Sequence, residues 1–164
     1  MRTQSLVALV AGGIAFLAGA LLLAWATMAP LRRALGTSRP LVVLAYGVAL
    51  ADVLAGAALA TLFVAGWLPV VSRWAALKPA HAWLNLLGFL ALVIAGTVLH
   101  LLPTVLGGRI VPRASAVVAI CGLCLGAPLV AVGLLLAGEA GAVADLVARS
   151  GAACSLAGAL ALAW

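Results

Sequence analysis

Five long apolar runs dominate this chain, at about residues 6–28, 41–64, 80–102, 116–137 and 147–164. A helix needs about 20 apolar residues to cross a hydrocarbon core about 30 Å thick, and the first four runs have them. The fifth, from Val147, barely reaches. In lipid the backbone N–H and C=O groups have no water to bond, so such runs must close their bonds internally as helices. The predicted fold is therefore all-α: a polytopic integral membrane bundle of about five helices in one domain, residues 1–164. Composition excludes the alternative. Charged residues make up 7% of the chain and hydrophobic ones 68%, whereas a soluble domain carries about 25% charged residues.

The connections are short and basic. Pro30, Arg32 and Arg33 are expected to end the first run. The net charge of +6 arises from clusters between the runs, which is the distribution that orients membrane proteins. Arg32, Arg33, Arg39, Arg109 and Arg113 fall on one side; Arg2, Arg73, Lys78 and Arg149 fall on the other. The first set sits in short loops without acids, which predicts an outside N-terminus; the membrane expected is a bacterial cytoplasmic (inner) one. The expected partners are the lipid bilayer and other membrane helices or a redox domain. A nucleic-acid partner is excluded, because no basic face with interleaved aromatics exists. The first run is too long for a cleavable signal peptide. The last run stops at Trp164 without a charged tail, which suggests a piece of a longer protein or a helix end buried in an assembly.

The third run holds both histidines, His81 and His100, and the only asparagine, Asn85. At 100° per residue, His81, Asn85, Gly88, Gly96 and His100 fall within an arc of about 120°. Trp83, Leu87, Leu90, Ile94, Val98 and Leu101 take the opposite side. This predicts one packed, small and polar face and one lipid face. Imidazole is a good ligand for haem iron or copper, so His81 and His100 are candidate metal or haem ligands, with Asn85, Gly88 and Gly96 supporting. The two histidines stand nineteen residues apart, about 28 Å along a helix, and cannot share one metal. Met28 is expected near the depth of His100. The alternative reading makes His81 an interfacial helix-start residue, His100 a hydrogen-bonded one, and Asn85 interhelical glue.

Asp52 falls mid-way through the second run. An ionisable side chain at that depth is expensive and is a functional candidate by default; a protonated carboxyl bonded to a neighbouring helix is the other reading. Tyr46 does not share its helical face. Cys121, Cys124 and Cys154 make a poor disulfide framework. Gly122 and Gly126 read the Cys121–Cys124 region as small-residue packing. Pro128 is expected to kink the fourth helix. No catalytic residue set is present, and whether the chain is an enzyme stays open.

The string from His81 through Trp83-Leu84-Asn85-Leu86-Leu87-Gly88-Phe89 to Gly96-Thr97 and Leu102-Pro103-Thr104 resembles a membrane segment of proteins related to haem–copper oxidase subunit I. Small four-helix proteins carry a similar motif, as do membrane regions ahead of cupredoxin domains in bacterial copper oxidases. The tail at Leu101-Leu102-Pro103-Thr104, followed by a basic loop with Arg109, is closest to the latter. The resemblance covers roughly thirty residues. It implies a redox membrane domain in electron transport, with haem or copper on the third helix. Many relatives have a second histidine where this chain has Trp83. Two other functions stand beside it: a cofactor-free membrane anchor or assembly module, and a small transporter or proton-conducting subunit using Asp52.

Overall fold

The computed structural model describes residues 2–35, 39–107 and 114–163, without the side chains of residues 2–4 and 104. The loop carrying Arg109 and Arg113, the Thr104 side chain and Trp164 lie outside the described residues. The described chain is helical, with no strand. Helix α1 spans Arg2–Leu35, α2 Pro40–Val64, the short α3 Leu68–Val71 and α4 Trp74–Trp83. A π-helical segment, Leu84–Ala91, joins α4 directly to α5, Leu92–Val105; α6 is Ala114–Leu136 and α7 is Gly141–Leu162. Five helices are long and apolar enough to cross a membrane: α1, α2, the α4–π–α5 rod taken as one span, α6 and α7. The all-α membrane bundle expected from the sequence is thus the observed fold.

The helix ends differ from those expected. α1 runs through Pro30 to Leu35, because proline removes one backbone bond without stopping a helix whose flanks are good formers. The third span begins at Trp74 and takes Pro79 inside it. The polar stretch before the fifth run is helical as well. α7 starts at Gly141, where an exposed i,i+4 pair, Asp145–Arg149 at 2.7 Å, supports its first turns. Twenty-two residues give it about 33 Å, enough to span. α2 ends at Val64, and Gly66 two residues on takes a φ of +75° that a side chain would resist.

The core is a three-helix packing of α2, the third span and α6. Ala45 and Ala49 on α2, Leu92 and Ala95 on α5, and Ile120 and Leu123 on α6 are buried together. α1 lies mainly against α2, with Gly13 at Thr61 and Gly47 at Met28. Its remaining surface is exposed, Trp25 by 79%, as lipid-facing residues are. α7 packs on α6 through backbone contact. A Cβ at Gly122 would stand 2.6 Å from the Cys154 carbonyl, and one at Gly133 2.6 Å from the Ala148 nitrogen. Gly126 meets Ser155, whose hydroxyl is buried without a hydrogen-bond partner. Small residues let these backbones touch, which is how helices associate where lipid supplies no hydrophobic drive.

Candidate functional site

α2 and the third span run antiparallel along one seam. Gly56 faces Asn85, Asp52 faces Gly88 and Ala45 faces Gly96. Each contact needs glycine on one side: a Cβ at Gly88 would lie 2.7 Å from the Asp52 Cγ. The seam is where the sequence put the polar face of the third run, and Gly88, Leu92 and Gly96 are buried there while Leu90, Ile94, Val98 and Leu101 are exposed.

Asp52 is the thirteenth of the 25 residues of α2, about 18 Å from either end. It is 5% exposed, and its Oδ2 has no hydrogen-bond partner. A buried, unbonded carboxyl oxygen is costly. The helices opposite it are both irregular. On the third span, Gly88 sits inside the π-helical segment, where bonding shifts from i→i−4 to i→i−5, a distortion that concentrates at functional sites. On α6, Cys124 stands within electrostatic reach of Asp52. The Cys124 carbonyl lacks its usual donor, because position 128, inside α6, is proline. Irregular backbone at membrane depth is tolerated where it is enclosed by protein or lines a cavity.

One turn along α2, His81 Nδ1 lies 2.8 Å from the Gly56 carbonyl. A carbonyl only accepts, so Nδ1 carries the proton and donates it, and Nε2 keeps its lone pair. Asn85 Nδ2 donates to the His81 carbonyl at 2.7 Å. Its 3.3 Å approach to His81 Nδ1 is then a proximity of two donors and not a bond. Trp74 flanks the imidazole at 6.3 Å and stacks on Phe63 at 4.1 Å.

The other end of the seam is arranged differently. Arg39 donates from one guanidinium nitrogen to His100 Nδ1, at 2.9 Å, and to the His100 carbonyl. Guanidinium has no acceptor, so His100 Nδ1 holds a lone pair and Nε2 the proton. This is the hydrogen-bonded alternative for His100, with its Nδ1 lone pair engaged by Arg39. Tyr46 Oη and Thr97 Oγ1 pair at 2.7 Å, a contact the helical angles did not suggest because it lies to one side of the seam. Met28 rests on Gly47 of α2. The sequence thus placed the polar residues on one face, and the structure divides them: Asp52, Gly56, His81, Asn85 and Gly88 form one contiguous group, while His100 and Met28 lie apart from it.

Among the described residues no group of three or more His, Cys, Asp or Glu side chains is close enough to hold a metal ion. The donor set therefore does not fit a protein-enclosed copper. Among the described residues, His81 Nε2 keeps a lone pair that could serve as a ligand. None of the three cysteines is paired. Comparison of the chain with families of known proteins, with curated proteins and with solved structures finds no match.

Proposed function

We propose that the chain is a proton-conducting or proton-coupled transport element of a bacterial inner membrane, with the Asp52 carboxyl as its proton-binding site. One observation carries this reading: the carboxyl is buried midway along α2 with an unbonded oxygen, and it faces the π-helical segment of the third span at Gly88. A carboxyl there is neutral at rest and gives up its proton when water or a partner group reaches it. The arginine-rich end, with Arg32, Arg33 and Arg39, faces the cytoplasm, so His81 lies in the outer half. The test is proton flux into vesicles holding a pH-sensitive dye, driven by an imposed potential. Asp52→Asn, which keeps the shape and removes the proton, should reduce flux to that of empty vesicles. Equal flux in Asp52→Asn, or none in the unaltered protein, would reject the reading.

The second reading follows the resemblance to haem–copper oxidase subunit I. An Nδ1–H bonded to a carbonyl orients a histidine for ligation through Nε2, and His81 has that bond. A haem held there would need its other support from another chain, such as a redox partner. An absorption spectrum and metal analysis of the purified protein decide it: a haem band lost in His81→Ala supports it, and no stoichiometric iron or copper rejects it.

A further inference from the structure

The inference deepens the proposed function and rests on it. The geometry points to one-sided access: Asp52 exchanges its proton with the Trp74 end of the bundle through His81, and is sealed from the Arg39 end.

The two routes from Asp52 differ in what lines them. Toward Arg39 the next turns of the seam are closed by side chains from all three core helices. Ala45, Ala49, Leu92, Ala95 and Ile120 are each fully buried, and together they form one dry cluster. Tyr46 and Thr97 satisfy each other beside it, and Arg39 is occupied with His100 beyond it. Toward Trp74 the seam is polar. Asn85 packs on Gly56, one turn from Asp52, and His81 follows one turn after Asn85. Both are only half-buried. The apolar cluster at that end, Ala80, Leu84 and Ala131, joins the third span to α6, with Leu59 of α2 packed against it; the polar groups Asn85 and His81 reach α2 at Gly56 beside it. The remaining titratable group facing Asp52 is Cys124, from α6.

The chemistry is a proton transfer. Neutral His81 offers its Nε2 lone pair while Nδ1–H stays on the Gly56 carbonyl. It takes a proton from hydronium at the Trp74 end, leaving water, and becomes imidazolium. The new Nε2–H bond then breaks and an O–H bond forms on the ionised Asp52 carboxylate, the proton passing by solvent water beside Asn85. The ring returns to neutral and Asp52 becomes the neutral acid. The site loads from one side and cannot leak to the other until the apolar cluster parts.

The experiment is hydrogen–deuterium exchange of the Asp52 carboxylic acid, read from its C=O stretching band in the infrared for the full chain in vesicles. Asp52→Asn identifies the band. His81→Gln keeps a side chain able to bond Gly56 but unable to carry a proton. It should slow the exchange by about 10²-fold, the lower end of what a positioned acid–base group contributes. Tyr46→Phe, on the sealed side, should leave the rate unchanged. Unchanged exchange in His81→Gln, or equal slowing in Tyr46→Phe, overturns one-sided access while Asp52 stays a proton site. Absence of any exchangeable acid band lost in Asp52→Asn overturns the proposed function and this inference together.

Discussion

At the scale of single residues, the Asp52–Gly88 contact is the tightest constraint on the site. A methyl at position 88 would stand 2.7 Å from the Asp52 Cγ and 2.8 Å from its Cβ. Gly88→Ala should therefore destabilise by about 1–3 kcal/mol, the usual cost of overpacking. Most of that should vanish when Asp52 is also replaced by Gly, which removes both the Cγ and the Cβ that the methyl would meet. A double-mutant cycle on thermal unfolding in detergent measures the coupling. Arg39 gives a second residue-scale expectation. Its two bonds tie the start of α2 to His100, and a hydrogen bond to a charged group is worth about 1.5–3 kcal/mol. Arg39→Ala should lower stability within that range and leave the deuterium exchange of the Asp52 acid unchanged, since Arg39 lies beyond the apolar cluster. His81, Asn85 and Asp52 were all visible in the sequence as costly polar groups at membrane depth. The proton positions on His81 and His100 were not, because a tautomer is set by the partner across the helix interface.

At the scale of elements, the π-helical segment Leu84–Ala91 sets the phase of the third span. It holds Asn85 on Gly56 and Gly88 on Asp52 while Leu92 stays in the core. Deleting Leu86, which faces outward, lets the segment close as regular helix with its flanks in phase, and removes the wide turn that keeps Asn85 and Gly88 on their separate partners. Membrane insertion and helix content by circular dichroism should persist, and Asp52-dependent flux should be lost. The α6–α7 pair tests packing apart from chemistry. A leucine at Gly126 would drive into the Ser155 nitrogen and the Gly151 carbonyl, 2.7 and 2.9 Å from the Cβ position. Backbone cannot move aside as a flexible side chain can. Gly126→Leu should displace α7 from α6, seen as a lowered unfolding temperature and faster cleavage in the residue 137–140 connection. The glycine spacing announced this contact; the sequence did not show that α7 touches α6 and little else. The π segment was illegible, since apolar patterning reads nearly alike with one residue more or less per turn.

At the scale of the whole molecule, the bundle is a three-helix core flanked by two helices that each hold one neighbour. Among the described residues α1 packs mainly on α2, and no residue of its most apolar stretch is buried. Cutting the chain at an engineered protease site between α1 and α2 should leave the Asp52 acid band and the α2–third-span–α6 packing unchanged. Infrared and gel-filtration profiles before and after cleavage check this; loss of the band would show that α1 contributes to the core. Most of the architecture was readable beforehand. Long apolar runs in a solvent without hydrogen-bonding partners leave the backbone one solution, so the number and rough bounds of the spans follow from hydropathy. The misjudged ends lie at Pro30, at Pro79 and in the polar turns before Val147, where helix formation depends on what the turn packs against and composition is silent. Sequence alone determined that the chain has five runs fit to span a membrane and that Asp52, His81 and Asn85 are polar groups set within them. Only the tertiary structure decided that these three meet along one seam and that His100 and Met28 do not join them. The reason is physical. Periodicity reports which way a side chain points from its own helix, whereas a site forms where two helices bring their faces together at one depth.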